Sequence, residues 1–500
     1  MSSRPWSAPT GRGGVGSPAF VAEFGLWDDR RAAAAEWVES QLDRVDLVRV
    51  AFCDPHGLAR SKTVPANVFR SVLRNGMDFS SGPFLFDTGH AVAVDFRADA
   101  GVGVAALRGA GDFVLVPDPC TFQVLPRAEG PRTAWVLGDE YLRDGTPHPL
   151  SARGALRRIC AEYARHDLAP VIGLEVEWYL TRLTGGPAGN EGNGFGLQGA
   201  APEVEAVNSG YQFNLDGHYD SVAHVADALA VLLMELGLPL RSFEHESGPG
   251  QLETTFDPML ALDAADAMLL FRTRVKQECR RRGHHASFMS LPRIAGFDPS
   301  GWHLHQSVAS TKTSRNLFAP DDARDGVSAD AEAYIGGLLS RARELCLLSV
   351  PTVNGYRRLS PEFELAPTAT DWRVEDRRAM VRVLGDGPSV HVENRVGEPC
   401  ANPYLAIAAQ LHAGLEGLLS GVPADDVARP PLPRTLREAL EAFRESDDAE
   451  RLLGAPLKAC LIKLKESEAA RFEAWCAAER PARAADEVTE WEHREYFGVF

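Results

Sequence analysis

The chain has 500 residues, 45% hydrophobic and 24% charged, with a formal net charge of −17. This composition fits a globular protein large enough for two or three domains, and the acidic balance excludes nucleic acid as the main partner, because phosphate backbones call for basic patches. No run approaches the roughly 20 apolar residues of a membrane span. The eight cysteines include no Cys-x-x-Cys pair, and scattered single thiols suit a reducing, cytoplasmic compartment.

Residues 1–25 are rich in Gly, Pro, Ser and Arg without a continuous apolar stretch, so they predict a disordered tail and not a signal peptide. An apolar β-run follows at 45–54 and ends in the turn Asp54-Pro-His-Gly57. A helix is predicted near 65–75, with further strands at Ala91-Val-Ala-Val-Asp95 and Phe113-Val-Leu-Val-Pro117. These make a small α+β domain over 40–138, bounded by the charged, Gly/Pro-bearing segment Gly138–Pro149.

The second domain, 145–500, opens with a helix over Ser151–His166 whose Ala155, Leu156, Ile159, Cys160 and Tyr163 share one face. A strand at Pro170–Leu180 precedes a Gly-rich loop from Gly185 to Gly199. Helices are predicted over Ser221–Leu236, with Asp220 as N-cap, over 262–282, and over 402–418, where Asn402-Pro403 supplies an N-cap and a first-turn proline. The charged stretch 434–478 is also predicted helical, and no internal repeat is present.

Four strand-like runs carry polar pairs two residues apart: Glu175-Val-Glu177, Gln251-Leu-Glu253, His303-Leu-His305 and Glu393-Asn-Arg395. Residues i and i+2 of a strand share a face, so each run aims a pair at one side. Singly, such a pair is more often a solvated edge, and a lone His is more often simply hydrogen-bonded. Jointly they are harder to dismiss: Glu175 and Glu177 interrupt Val171-Ile-Gly-Leu-Glu-Val-Glu-Trp-Tyr-Leu180, an otherwise apolar run that is expected to be buried. Buried carboxylates need partners.

Five carboxylates (Glu175, Glu177, Glu246, Glu253 and Glu393) with one imidazole, His303, form an oxygen-rich donor set suited to magnesium or manganese. The set is too large for one ion, and two or more ions are a common apparatus for phosphate chemistry. Arg357, Arg358, Arg377, Arg378, Arg382 and Arg395 follow downstream, and arginine grips carboxylate or phosphate through a planar fork. For Arg377-Arg378 alone, surface solvation explains the pair equally well. No P-loop or Gly-x-Gly-x-x-Gly signature is present, so any bound ATP uses another architecture.

At these residues the chain resembles the glutamine synthetase family. The matching stretches are Gly173-Leu-Glu-Val-Glu177, His245-Glu-Ser-Gly-Pro-Gly-Gln-Leu-Glu253, Ser300-Gly-Trp-His-Leu-His-Gln-Ser307, Asn354-Gly-Tyr-Arg-Arg-Leu359, Asp376-Arg377, and Val392-Glu-Asn-Arg395 leading to Ala401-Asn-Pro-Tyr404. The end of the chain, Val488-Thr-Glu-Trp-Glu492 with Tyr496, is similar too. The motifs run in the family's order over roughly 40–500.

The resemblance implies an α+β fold: a small N-terminal β-grasp-like domain and a large catalytic domain with a curved antiparallel sheet flanked by helices. It implies that Glu177, Glu246 and Glu253 hold the ion nearer the acyl substrate, and Glu175, His303 and Glu393 the ion on the ATP phosphates. His305 and Ser307 would lie toward the nucleotide, Arg377 and Arg382 on the transferring phosphoryl group, and Arg358 and Arg395 on the substrate carboxylate. Glu364 aligns with the flap glutamate that deprotonates the attacking nitrogen, although one extra residue precedes Ala366-Pro367. Self-association into a ring or double ring is also implied.

Three departures bear on the nucleophile. Asp298-Pro299 replaces the family's Asn-Gly in a loop that contacts the amino-acid substrate, and proline removes an N–H. The Asp-Gly-Ser-Ser pattern that binds ammonium is only echoed by Asp78-Phe-Ser-Ser81, with Asp87 as a rival. The regulatory tyrosine of bacterial members is missing from Ala424–Pro433. The expectation is an ATP-dependent ligase that joins glutamate to an organic amine through an acyl phosphate. The alternatives are a glutamine synthetase using ammonia, a phosphotransferase that stops at the phosphoryl step, and a catalytically dead structural relative.

Overall fold

The computed structural model describes residues 18–97, 101–126, 130–185, 198–320, 326–479 and 487–500. The chain divides into two compact units. One runs to Phe52 and takes in Ser61–Phe79 and Phe113–Pro147; the other comprises Cys53–Arg60, Ser80–Asp112 and His148–Phe500.

The smaller unit is β-grasp-like. Its strands are β1 (Leu47–Cys53), β2 (Ala59–Pro65), β3 (Met77–Ser80), β4 (Asp112–Pro117), β5 (Gln123–Val124) and β6 (Thr133–Tyr141), in the spatial order β2-β1-β6-β4-β3 with β5 also on β6. At its centre β1 and β6 are parallel, with Val48 opposite Ala134 and Val50 opposite Val136. The helix Ala66–Asn75 puts Phe69, Val72 and Leu73 into the core. Of the expected tail, residues 1–17 lie outside the described residues. Phe20–Glu23 instead forms a helical turn, whose Val21 is buried with Val114, Val116 and Tyr141.

Two expectations in this region change. The expected boundary Gly138–Pro149 narrows: the units divide at Pro147/His148, inside it, while Gly138–Tyr141 completes β6, where a Cβ on Gly138 would stand 2.7 Å from Leu115 Cγ. Ala91–Asp95, in the larger unit, is not a strand: Ala93 and Val94 both donate their N–H to Leu85 O, and only Val92 forms an isolated bridge, with Phe86. The Asp78-Phe-Ser-Ser81 echo falls largely on β3, where Phe79 is core, its ring 5.3 Å from Phe52 and 6.0 Å from Phe113.

The larger unit is built on a curved, ten-stranded sheet. Its strands are β7 (Leu168–Leu183), β8 (Val204–Ala206), β9 (Leu240–His245), β10 (Gln251–Phe256), β11 (Met259–Leu260), β12 (His284–Ser287), β13 (Trp302–Ser310), β14 (Trp372–Val374), β15 (Val381–Leu384) and β16 (His391–Asn394). The main path is β14-β15-β16-β13-β7-β10-β9, antiparallel except for β14 with β15. β7 outruns its expected limits and also pairs β8, β11 and β12. Most of the Gly185–Gly199 loop lies outside the described residues.

Helices flank the sheet. Pro403–Ser420 is buried over most of its length, and Asn402 caps it by accepting the N–H groups of Tyr404 and Leu405. It crosses Ala329–Ser340 closely enough that a Cβ on Gly337 would sit 2.0 Å from Ala413 O. The helix expected from Ser221 starts earlier, at Asp216, without a side-chain cap, so Asp220 lies inside it. The stretch 434–478 is three helices, Leu436–Glu445, Asp447–Leu453 and Ala455–Glu479. Ser446 breaks the run by capping the second helix, and Gly454, at φ +78°, breaks it again. Among the described residues, no helix is long and apolar enough to cross a membrane.

Candidate active site

Strand register assembles the polar pairs. Glu253 of β10 stands opposite Glu177 of β7, and His303 of β13 opposite Glu175. Glu393 of β16 stands opposite His305 on one side and Arg382 of β15 on the other. His303 is the hub: its Nδ1 lies 2.5 Å from Glu175 Oε1 and 3.6 Å from Glu393 Oε1, and its Nε2 lies 3.9 Å from Glu177 Oε1. Two overlapping donor sets result, Glu175/His303/Glu393 and Glu177/Glu253/His303, each with ligand atoms within 4.8 Å of one another.

The electrostatics show a cluster short of positive charge. Burial, followed by the neighbouring carboxylates Glu175, Glu177 and Glu246, pushes Glu253 far above the usual carboxylate range. Burial likewise raises Glu177 and Glu246, each to about 7. Against its own burial penalty, Glu175 is held low by its close pairing with His303 and then by His305, whose Nε2 is 3.0 Å from Glu175 Oε2. Burial and then Arg395 lower His303 to about 4, so at neutral pH the ring is neutral and its Nδ1–H donates to an anionic Glu175. A ring of mutually repelling, buried oxygens with one neutral imidazole has the donor chemistry of a divalent-cation site, which relieves both burial and repulsion.

Glu246 is outside both triads, although Glu177, Glu244 and Glu175 all act on it. Arg395 Nη1 pairs with Glu393 Oε1. Arg358 is buried, with Nη1 donating to Arg395 O (2.9 Å) and Nη2 lying 3.2 Å from His303 Nε2. It passes where a Cβ on Gly301 would stand 2.4 Å from it, so only glycine fits there. Arg382 reaches Glu393 at 3.4 Å and Glu375 at 2.7 Å. Ser307 is half-buried on β13, two residues beyond His305. Asp298 accepts from Ser247 Oγ (2.8 Å), and its backbone N–H and C=O both bond Tyr179 OH.

Glu364 and Arg377 are both exposed, Glu364 in the turn-rich segment after Arg358; the charge of Arg377 reaches Glu246. Of the two aspartates weighed for an ammonium site, Asp78 pairs with Arg143 at 3.2 Å. Asp87 is buried and fully engaged, accepting from Arg471 Nε (2.9 Å), Ser467 Oγ (2.6 Å) and the N–H groups of Gly89 and Ala91.

Sequence reasoning missed two acidic residues. Glu244 of β9 faces Glu253 and adds to the cluster, but its importance is set by register and leaves no motif. Glu375, at φ +55°, holds the outer side of Arg382.

Residues 149–496 match the family described as "Glutamine synthetase, catalytic domain". A γ-glutamylanilide synthase of Acinetobacter sp is 38% identical over 500 residues, covering 96% of this chain and 99% of that protein. A glutamine synthetase of Methanosarcina mazei is 30% identical over 448 residues, covering 86% and 92%. The solved structure of GmaS without ligand superposes with a TM-score of 0.72 at 27% identity, over 91% of this chain and 98% of that one. The sheet carrying the clustered carboxylates and this end-to-end similarity lead to one conclusion: the chain belongs to the glutamine synthetase family, ATP-dependent ligases that form carbon–nitrogen bonds with the help of divalent metal ions.

Proposed function

We propose that the enzyme joins the γ-carboxyl group of glutamate to an organic amine. The observation that carries the reading is the convergence of Glu175, Glu177, Glu253, His303 and Glu393 in a chain matched end to end by a γ-glutamylanilide synthase. Asp87, spent on Arg471, is no longer a candidate for an ammonium cage, which favours an amine with a carbon skeleton over ammonia.

In this reading the γ-carboxylate attacks the terminal phosphorus of ATP, giving γ-glutamyl phosphate and ADP. The amine nitrogen then attacks the acyl carbon, phosphate leaves, and the nitrogen gives one proton to Glu364. Glu177, Glu253 and Glu246 would hold one Mg²⁺ or Mn²⁺ ion near the acyl group, and Glu175, His303 and Glu393 a second at the phosphates. Such ions supply charge neutralisation and orientation for the transferring phosphoryl group. His305 and Ser307 face the nucleotide, while Arg377 and Arg382 offset the charge developing on the phosphoryl oxygens. Arg358 and Arg395 take the substrate carboxylate, and Arg358 is positioned by its bond to Arg395 O and its approach to His303.

We further propose a ring-shaped homo-oligomer, since a head-to-tail contact repeats until it closes, and a cytoplasmic setting, which eight scattered thiols outside any disulfide suit. The deciding experiment is ATP turnover with glutamate against a panel of amines, with products identified by mass spectrometry. Amide from organic amines supports the reading; glutamine as the preferred product replaces it with ammonia use; ADP without amide replaces it with phosphotransfer.

A further inference from the structure

The helix Glu490–Tyr496 gives no side chain to the carboxylate cluster, yet two segments assigned above to the acid substrate are fastened to it. The anchor is Glu492, which is fully buried. Its Oε1 accepts from Arg357 Nε (3.0 Å) and Asn354 Nδ2 (3.3 Å). Its Oε2 accepts from Arg357 Nη2 (3.0 Å) and from the backbone N–H and the hydroxyl of Thr489 (both 2.8 Å). These donors fill the acceptor capacity of one carboxylate, and the paired bonds from Arg357 fix its fork in direction as well as distance.

Both attachments lead toward the reaction centre. Arg357 precedes Arg358 in the helical turn Gly355–Arg358, and Asn354 stands at the head of that turn. The turn has no room to slide: a Cβ on Gly355 would stand 2.4 Å from Glu398 Oε2, and Val353 N–H donates to Tyr496 OH (3.3 Å). Asn354 also grips Leu291, accepting its N–H (2.8 Å) and donating to its C=O (3.0 Å). Leu291 opens the loop that carries Asp298-Pro299. That loop is closed at its neck, where Ser300 N–H donates to Ser290 O (2.7 Å) and Ser290 Oγ to Ser300 O (3.0 Å). A further bond, Arg293 N–H to His493 Nδ1 (3.3 Å), pins the same loop to the helix. A bolt that only stabilised the fold could be apolar, since burying an ion pair costs desolvation that well-packed hydrocarbon does not. A directional carboxylate is needed where two segments must be held at one spacing.

We propose that Glu492 is a positioning residue for the acid substrate, setting Arg358 through Arg357 and the Asp298 loop through Asn354. This rests on the ligase reading above. The test uses the full-length enzyme with Mg²⁺ and the amine that gives most amide. It reads KM separately for glutamate, ATP and amine, beside the melting temperature. Glu492→Gln keeps the shape but turns an NH₂ group on donors. KM for glutamate should rise about tenfold, within the range that a small misplacement causes, while KM for ATP and for the amine stays unchanged. Glu495→Gln is the control: on the same helix, Glu495 pairs instead with Arg471 and Thr88. That variant should melt lower without a change in KM for glutamate. Should Glu492→Gln fail to fold, Arg357→Lys decides, since it keeps the cation but not the fork; KM for glutamate should rise severalfold in an intact protein. An unmoved KM for glutamate, a rise in all three KM values together, or an equal rise in Glu495→Gln overturns the proposal and leaves the helix a fold-stabilising bolt. Any of these in an enzyme whose wild type forms amide overturns this inference alone. Wild type whose ATP turnover is indifferent to glutamate overturns the ligase reading and this inference with it.

Discussion

Glu253 and Glu177 face each other directly across the antiparallel strands β10 and β7. Like charges so placed destabilise a sheet, and burial sharpens the conflict. Without a cation the folded protein settles it by binding protons: Glu177, ordinarily near 4.5, is raised to about 7, and Glu253 rises further. The unfolded chain does not hold those protons, so between roughly pH 4.5 and 7 the folded state binds more and stability falls as pH rises. Metal-free protein should therefore melt lower at pH 8 than at pH 5.5. Added Mg²⁺ should raise the melting temperature strongly at pH 8 and weakly at pH 5.5. A melting curve indifferent to chelator at pH 8 would remove the metal assignment.

Removing one of the facing charges separates stability from function. Glu253→Gln keeps the shape but relieves repulsion, so the chelated variant should melt at or above chelated wild type at pH 8, while amide formation is lost. A variant that retains amide synthesis would show that Glu253 holds no essential ion.

Arg382 sits between Glu393 and Glu375, and Glu375 takes a left-handed backbone rare for a residue with a side chain. Such strain persists where the surroundings enforce it, often at functional sites. The Glu375 side chain is 59% exposed, so its pair with Arg382 is worth at most about 1 kcal/mol. Glu375→Gln should lower kcat/KM for ATP by up to about fivefold while leaving the KM for the amine unchanged. An effect on the amine alone would place Arg382 away from the phosphoryl group.

His148 provides an acid limit unrelated to the site. Its ring stacks on Phe84 at 5.0 Å, its Nδ1 accepts Leu150 N–H at 3.2 Å, and burial lowers it to about 4. Below pH 6.5 the unfolded imidazole is protonated while the folded one is not, so stability is lost as pH falls from 6.5 toward 4. That loss is about 3 kcal/mol at most. Urea midpoints of wild type and His148→Asn should differ at pH 7 and converge as pH approaches 4. Parallel pH profiles would assign the acid loss to other groups.

The site was legible in the sequence to the extent that chemistry conflicts with burial. Glu175 and Glu177 stand out because carboxylates interrupt an apolar strand, and His303 because it shares a face with His305. Glu244 is invisible there: only the register of β9 on β10 places it before Glu253. Phe79 reads as a bulky substitute in a ligand loop, yet it packs among Phe52 and Phe113, because a short apolar run does not disclose which partner buries it. The breaks at Ser446 and Gly454 are single-residue signals within a charged, helix-favouring stretch, where propensity alone argues for continuity.

Ammonium should be a poor nucleophile beside an organic amine. Tight capture of so small a cation needs a compact cage of carboxylates. Asp87 cannot join one, since Arg471, Ser467 and two backbone N–H groups already take its oxygens. The wall at Asp298-Pro299 is fixed by Tyr179, whose hydroxyl bonds both the N–H and the C=O of Asp298 and whose ring stacks on Phe297 at 4.0 Å. A preformed wall of this kind favours a carbon skeleton, because each buried CH₂ contributes about 0.8 kcal/mol, or roughly fourfold in affinity. Glu364 remains exposed on its turn, free to meet a larger substrate, and a general base needs only hydrogen-bond reach of the nitrogen. Measured kcat/KM should therefore rise from ammonium to methylamine to larger apolar amines, by at least tenfold across the series. An ammonium value equal to that of the best amine would return the enzyme to glutamine synthesis.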